Sequence, residues 1–302
     1  MKVFITGAQG QVGKELVLTA SAAGLEVCAA TRADLDITQI NKVEEYILSQ
    51  QPDVVINAAA YTAVDRAEQD SAMAYAINHR GAENLAVICA QQNILLLHIS
   101  TDYVFDGTKT EPYNEDDPVF PLGVYGKSKW QGEQAIREHL KNHIILRVAW
   151  VFGTQGTNFV KTMLRLAKDR EVLNVVADQY GGPSPAKDIS QVIINLVKQY
   201  NKTKTLSWGT YHYCGSPKTT WHAFAKEIFK QAYQIGLLDK EIQVNPISTN
   251  EYPTAAQRPK NSMLNCSRLN DTFGIEMPNW RVSLKQVLIE LKSNQDNDNT
   301  NK

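Results

Sequence analysis

Tyr125 and Lys129 stand four residues apart in Val124-Tyr125-Gly126-Lys127-Ser128-Lys129, a spacing that puts both side chains on one face of a helix. A tyrosine gives its proton to a developing alkoxide near neutral pH only if its phenolate is stabilised, because its free pKa is about 10. A neighbouring ammonium supplies that stabilisation, as does the positive charge of an oxidised nicotinamide. Upstream, Ser100-Thr101-Asp102-Tyr103-Val104-Phe105 closes an apolar run. A threonine at the carboxyl end of a strand can donate to a carbonyl oxygen and polarise it. Thr101, Tyr125 and Lys129, in that order, suit the reduction of a ketone, in which hydride reaches the carbon while Tyr125 protonates the oxygen.

Such chemistry needs a hydride donor, and the N-terminus offers a place for one. Thr6-Gly7-Ala8-Gln9-Gly10-Gln11-Val12-Gly13 spaces its glycines as GxxGxxG between an apolar run and an amphipathic segment. Gly7 permits a tight turn, Gly10 lets backbone amides approach a pyrophosphate, and Gly13 lets helix and sheet pack closely. The helix N-terminus favours the negative charge. Where NAD sites usually carry an acidic residue for the ribose, this chain has Thr31-Arg32. The Arg32 fork suits a 2′-phosphate and favours NADPH. Asp34 and Asp36 stand close by and keep NADH open as the alternative. The small residues of Asn57-Ala58-Ala59-Ala60 would let a dinucleotide lie against the backbone, or serve tight packing of helix on sheet.

These residues meet only if the chain folds as alternating strands and helices. Apolar runs at 3–6, 27–30, 54–57, 94–100 and 144–150 predict buried parallel strands. Helical apolar spacing at 12–23, 40–50, 73–92 and 128–140 falls between them. The fold class expected is α/β: a Rossmann-type doubly wound parallel sheet with a smaller C-terminal substrate lobe. Residues 1–152 form the dinucleotide-binding domain, with about 170–200 returning to the same sheet, and residues 153–169 and 201–290 form the lobe. Residues 291–302 are expected to be a disordered tail, since 293–302 are almost wholly polar.

Composition narrows the function classes. Of 302 residues, 43% are hydrophobic and 21% charged, enough for a sizeable core. Lys plus Arg number 31 against 32 Asp plus Glu, so no broad cationic surface is available for a nucleic-acid backbone. The first apolar run is too short for a signal peptide or a membrane span, which predicts a cytoplasmic protein with no membrane partner. Cys28, Cys89, Cys214 and Cys266 are scattered rather than paired as metal ligands and read as reduced structural residues. For a diphosphate and base, Asn158, Lys161, Arg258 and Lys260 are candidate donors. His212 reads as structural.

Taken together, these motifs resemble the dTDP-4-dehydrorhamnose reductase family of extended short-chain dehydrogenases. Beyond the glycine loop and the Tyr/Lys pair, the resemblance runs through Thr62-Ala63-Val64-Asp65, Ala67-Glu68, the Ser100 to Phe105 block, Trp150-Val151, Asn158-Phe159 and Lys161 to Lys168. It continues in Asp178-Gln179, Thr220-Trp221, Tyr252-Pro253-Thr254 and Arg258-Pro259-Lys260-Asn261-Ser262. It implies catalytic roles for Thr101, Tyr125 and Lys129 and hydride transfer from NADPH or NADH to the 4-keto group of dTDP-4-dehydro-L-rhamnose. It also implies cofactor contacts at Gln11, Val12, Asp36, Ile37 and Ala58 to Ala60, and sugar contacts at Thr101, Asp102 and Trp150. Without the family, Trp150 reads equally as core. Some relatives are described as magnesium-dependent homodimers. Glu15 matches one of their glutamates, the others do not map, and no metal site is assigned. Related dehydratases and some epimerases carry an acidic residue after the Thr-Asp pair, where this chain has Tyr103, so plain reduction is the better reading. The alternatives are an epimerase or reductase on another nucleotide sugar, and a non-catalytic dinucleotide-binding regulatory subunit like the β subunit of methionine adenosyltransferase. The intact Thr101, Tyr125 and Lys129 weigh against the latter.

Overall fold

Residues 1–300 are described by the computed structural model, and they alternate strand and helix as the apolar runs require. The first half contains β1 (Lys2–Thr6), α1 (Gln11–Ala22), β2 (Glu26–Ala30), α2 (Ile40–Gln50), β3 (Val54–Asn57), α3 (Val64–Ala67) and α4 (Ser71–Tyr75). A π turn (Ala76–Arg80), α5 (Gly81–Gln91), β4 (Leu95–Thr101), a 3-10 turn (Asp102–Val104), α6 (Val124–His139) and β5 (His143–Val148) follow. Then come β6 (Val151–Phe152), α7 (Phe159–Asp169), β7 (Val172–Val176), β8 (Tyr180–Gly181), β9 (Ser184–Pro185), α8 (Ala186–Thr203) and β10 (Gly209–Tyr213). The chain closes with β11 (Thr219–Thr220), α9 (Trp221–Gln234), β12 (Gln243–Ile247), a 3-10 turn (Thr249–Glu251), α10 (Ser267–Phe273) and α11 (Trp280–Thr300).

Six parallel strands make the main sheet in the order β10-β5-β4-β3-β1-β2. Side chains alternate between its faces. Val3, Ile5, Val54, Ile56, Leu95, Leu97, Ile144 and Leu146 pack with Leu16 and Ala20 of α1 and Ile189, Ile193 and Val197 of α8. Phe4, Val55, Leu96 and Ile145 pack on the other face with Val43 and Ile47 of α2, Leu85 and Ile88 of α5, and Ile136 of α6. With both faces covered, the strands read as continuous apolar runs. The chain leaves β1 for β2 on one side and returns to β3 on the other, so a crevice opens beyond the carboxyl ends of β1 and β3, where open α/β sheets bind ligands.

Three boundaries differ from the expectations. Gly209–Tyr213, expected in the lobe, pairs with β5 and extends the main sheet. Its alternating residues Tyr211 and Tyr213 join the core under α8. Conversely, Val172–Val176 does not return to that sheet: it pairs with Gln243–Ile247 in the lobe, leaving α8 as the part of 170–200 that covers the sheet. The lobe has its own core, in which Val160, Met163, Phe224, Ile228, Trp280, Leu284 and Leu288 meet. The tail expected to be disordered continues α11 as far as Thr300. Leu284 and Leu288 anchor this helix, and Lys292 donates from Nζ to the carbonyl of Ile235 at 2.7 Å. Residues 301 and 302 lie outside the described residues.

The segment expected as one helix over 73–92 is broken by the π turn at 76–80. Its wide turn carries the buried Asn78 inward. Asn78 accepts from the Tyr61 amide at 2.8 Å and donates to the Tyr61 carbonyl at 3.1 Å and to Ser128 Oγ at 3.0 Å. One side chain thus ties the loop after β3 to α6, a use in keeping with π turns at functional sites.

Candidate active site

Two cavities meet over the carboxyl ends of the sheet. One, of about 530 Å³, is lined by Gly7, Gly10, Arg32, Asp36, Ile37 and Ala58 to Ala60. The other, of about 700 Å³, is lined by Gln11, Val12, Thr101, Asp102, Tyr125, Lys129 and Trp150 among others. They share Gln9, Gly10, Ala58, Ala60 and Thr62, and each is of the size that holds a small ligand.

The glycine loop makes the first cavity possible. Gly7 takes φ 66°, and a Cβ there would lie 2.6 Å from the Ala59 nitrogen. A Cβ on Gly13 would lie 2.1 Å from the Gly7 carbonyl oxygen, so Gly13 sits beneath the loop and outside both linings. Asn57 locks the opposite lip. Its Oδ1 accepts from Thr6 Oγ1 at 2.8 Å and from the Ala59 amide at 3.1 Å. Arg32 is exposed at the rim, with Nη2 3.9 Å from Met73 Sδ. The nearby carboxylates are engaged locally. Asp34 accepts from the Thr31 amide and hydroxyl at 2.8 and 2.7 Å, and Asp36 accepts from Thr38 and Gln39.

In the second cavity α6 begins at Val124, earlier than the expected 128, so Tyr125 lies in its first turn and Lys129 one turn on. A Cβ at Gly126 would lie 2.2 Å from the Tyr103 carbonyl oxygen. The missing side chain lets α6 close on the 3-10 turn after Thr101. Lys129 is 1% exposed; its Nζ donates to the Ile99 carbonyl at 2.6 Å and lies 3.0 Å from His98 Nε2. Burial pulls the Lys129 pKa down to about 8, against the charge of Glu133 one turn further along. Glu133 itself is fully buried, where burial alone would raise its pKa. The charges of Arg147 and Arg137, with a hydrogen bond from Ser100, hold it at about 2. Glu133 receives Arg147 at 2.9 and 2.7 Å, Arg137 at 2.7 Å and Ser100 Oγ at 2.6 Å, which pins α6 to β4 and β5.

Tyr125 is half-buried, and in the chain alone its phenol stands at about 12. Burial raises it, Asp102 raises it further, and a hydrogen bond with Thr101 only partly offsets them. Thr101 Oγ1 donates to Asp102 Oδ1 at 3.1 Å and accepts from the Tyr103 amide at 3.2 Å. Asp102 is 3% exposed, and its Oδ2 has no hydrogen-bond partner among the described residues. Burial pushes it up to about 7 despite hydrogen bonds from Ser262 and Thr101.

Three of the expected diphosphate donors make hydrogen bonds within the chain. Asn158 caps α7, accepting from the Lys161 amide at 3.1 Å and donating to Gln11 Oε1 at 2.6 Å and the Gly153 carbonyl at 2.8 Å. Lys161 donates to the Thr154 carbonyl at 3.1 Å. Arg258 forms a two-pronged pair with Asp65, at 3.2 and 2.7 Å. None of the three lines either cavity, nor does Lys260. Residues that sequence reasoning gave no role do line the second one: Gln9, Thr62, Val64, Phe159 and Trp221. His212 is buried, with Nδ1 3.1 Å from the Tyr113 carbonyl oxygen, in a structural position. Glu15 is buried, and that burial, with the charge of Glu290, raises its carboxyl above the usual range; no cluster of three His, Cys, Asp or Glu side chains that could hold a metal ion is present among the described residues. All four cysteines are free thiols. No helix of the described residues is long and apolar enough to cross a membrane.

Comparison with known proteins agrees with this geometry. A family model described as RmlD substrate binding domain matches residues 1–293. A dTDP-4-dehydrorhamnose reductase of Aggregatibacter actinomycetemcomitans is 45% identical, with 95% of this chain and 98% of the relative covered. Among solved structures, a dTDP-4-dehydrorhamnose reductase from Clostridium acetobutylicum superposes with a TM-score of 0.90 at 38% identity, covering 97% of this chain and 100% of the other. One from Bacillus anthracis, solved in complex with NADP, gives 0.88 at 39% identity, covering 96% and 99%. With the family model and a near-full-length relative in agreement, the chain belongs to the dTDP-4-dehydrorhamnose reductase family.

Proposed function

We propose that this chain reduces the 4-keto group of dTDP-4-dehydro-L-rhamnose with NADPH, giving dTDP-L-rhamnose. The observation that carries this reading is that Thr101, Tyr125 and Lys129 line one cavity continuous with the glycine-loop cavity. The bare glycine turn and Ala58 to Ala60 suit a dinucleotide, since any Cβ at Gly7 would collide with Ala59. NADPH, when bound, supplies the hydride. Arg32 is an exposed cation at the rim for a 2′-phosphate, since Asp34 and Asp36 are hydrogen-bonded within their own loops. Thr101, turning its single hydroxyl proton from Asp102 to the substrate, hydrogen-bonds the keto oxygen, and Tyr125 protonates it as negative charge develops. Lys129, whose ammonium has three protons, spends one on Ile99 and has others to offer a ribose hydroxyl or the phenolate. Asp102, close to half protonated at neutral pH, can give or receive a hydrogen bond from a sugar hydroxyl.

The test follows NADPH absorbance with dTDP-4-dehydro-L-rhamnose against its GDP and UDP analogues. Rapid consumption with the dTDP sugar is expected; no consumption with any of the three would refute the proposal.

A further inference from the structure

The mechanism leaves unused an aromatic cluster in the lining of the second cavity. Trp150 follows β5 with φ 46°, a left-handed backbone that a bulky residue keeps only where its surroundings over-determine it. Its indole lies on that of Trp221, with ring centroids 3.5 Å apart and planes within 8°. Phe159 tilts onto Trp221 at 4.7 Å. The stack spans the molecule's two parts, because Trp150 ends the sheet while Trp221 opens α9 in the lobe. One short antiparallel ladder prepares the place. Gly181 of β8 faces Thr219 of β11, and Thr220 beside it caps α9. A Cβ at Gly181 would lie 2.4 Å from Trp150 Cε2, so only glycine leaves the indole room. Trp150 is 9% exposed whereas Trp221 is half-buried, so Trp221 presents the more open aromatic surface.

We propose that Trp221 is a positioning residue for the sugar half of the substrate, bracing Trp150 so that the two indoles form an apolar wall. The proposal rests on the nucleotide-sugar reading above. β5 lies beside β4 in the sheet, so a sugar whose oxygen meets Thr101 and Tyr125 has the end of β5 as its neighbour. A flat indole buries the C–H face of a pyranose, and a deoxysugar's methyl asks for no hydrogen bond there.

The experiment is calorimetric titration of dTDP-L-rhamnose, and separately of dTDP, into the full chain saturated with NADP+, for wild type, Trp221→Leu and Trp221→Phe. Trp221→Leu is expected to weaken dTDP-L-rhamnose on the order of 10-fold or more, as loss of a buried aromatic anchor does. Affinity for dTDP and for NADP+ should stay within about twofold, and Trp221→Phe should recover most of the loss. Unchanged affinity in Trp221→Leu would overturn the proposal. So would an equal loss for dTDP, which would put Trp221 at the base, or a parallel loss of NADP+ affinity, which would mark a collapsed lobe. Turnover is read separately. Affinity for dTDP-L-rhamnose that depends on Trp221, in an enzyme that consumes no NADPH, would uphold the wall and contradict the reduction.

Discussion

Asp102 shows how one buried carboxylate can tune its neighbours. Its Oδ1 accepts a hydrogen bond from Thr101 Oγ1, its Oδ2 has no partner among the described residues, and by its charge it raises the phenol of Tyr125. Because burial pushes Asp102 up to about 7, its charge is present above that pH and absent below it. The pH profile of kcat/KM should therefore carry an inflection near 7 that Asp102→Asn lacks; the same inflection in the variant would show that another group titrates. Tyr125→Phe removes only the proton donor. Turnover should fall on the order of 100-fold or more while NADPH affinity, measured by fluorescence titration, stays the same. Thr101, Tyr125 and Lys129 were legible in the sequence because a strand end and an i, i+4 pair fix their relative places. Arg258 was not, since Asp65, which claims it, lies far away in the chain and no local pattern announces the pair. Nor was the cap that Asn158 forms on α7.

At the level of elements, α6 is the part whose placement matters most, and the buried Glu133 fixes it. Removing one member of such a pair strands the other charge, so Glu133→Gln should cost about 3–5 kcal/mol in urea unfolding at pH 7. The sign of the pH dependence follows from its lowered pKa. Its contribution is complete above the ordinary value of 4.5 and is lost as pH falls toward about 2. Wild-type stability should drop across that window more steeply than that of Glu133→Gln, and equal slopes would contradict the assignment. Strands β1 to β5 of the sheet were readable to within a residue or two from their largely apolar runs, whereas β10 was not. The π turn was not, as Ala76 to Arg80 has an ordinary helical composition and its widening is set by Asn78 reaching Tyr61 and Ser128. The pairing of Val172–Val176 with Gln243–Ile247 joins segments far apart in sequence, which hydrophobic spacing alone cannot match.

Across the whole molecule, the proposed function divides the sheet's crevice, with the β1 and β3 ends for the dinucleotide and the β4 and β5 ends for the sugar. Cofactor choice and chemistry should therefore separate on mutation. Arg32→Ala should weaken NADPH on the order of 10-fold more than NADH, the worth of one charge-assisted contact, and equal loss for both would remove the phosphate role. The coarse architecture was legible from alternation alone. The limits of the lobe were not, because β10 carries a mixed sequence, Gly209-Thr210-Tyr211-His212-Tyr213, that takes its place only beside β5. The most direct measurement uses NADPH deuterated at the transferable position with dTDP-4-dehydro-L-rhamnose, followed by NMR of the sugar product. Deuterium at carbon 4 of dTDP-L-rhamnose is the predicted result. Product without deuterium there, or label at another carbon, would contradict the account.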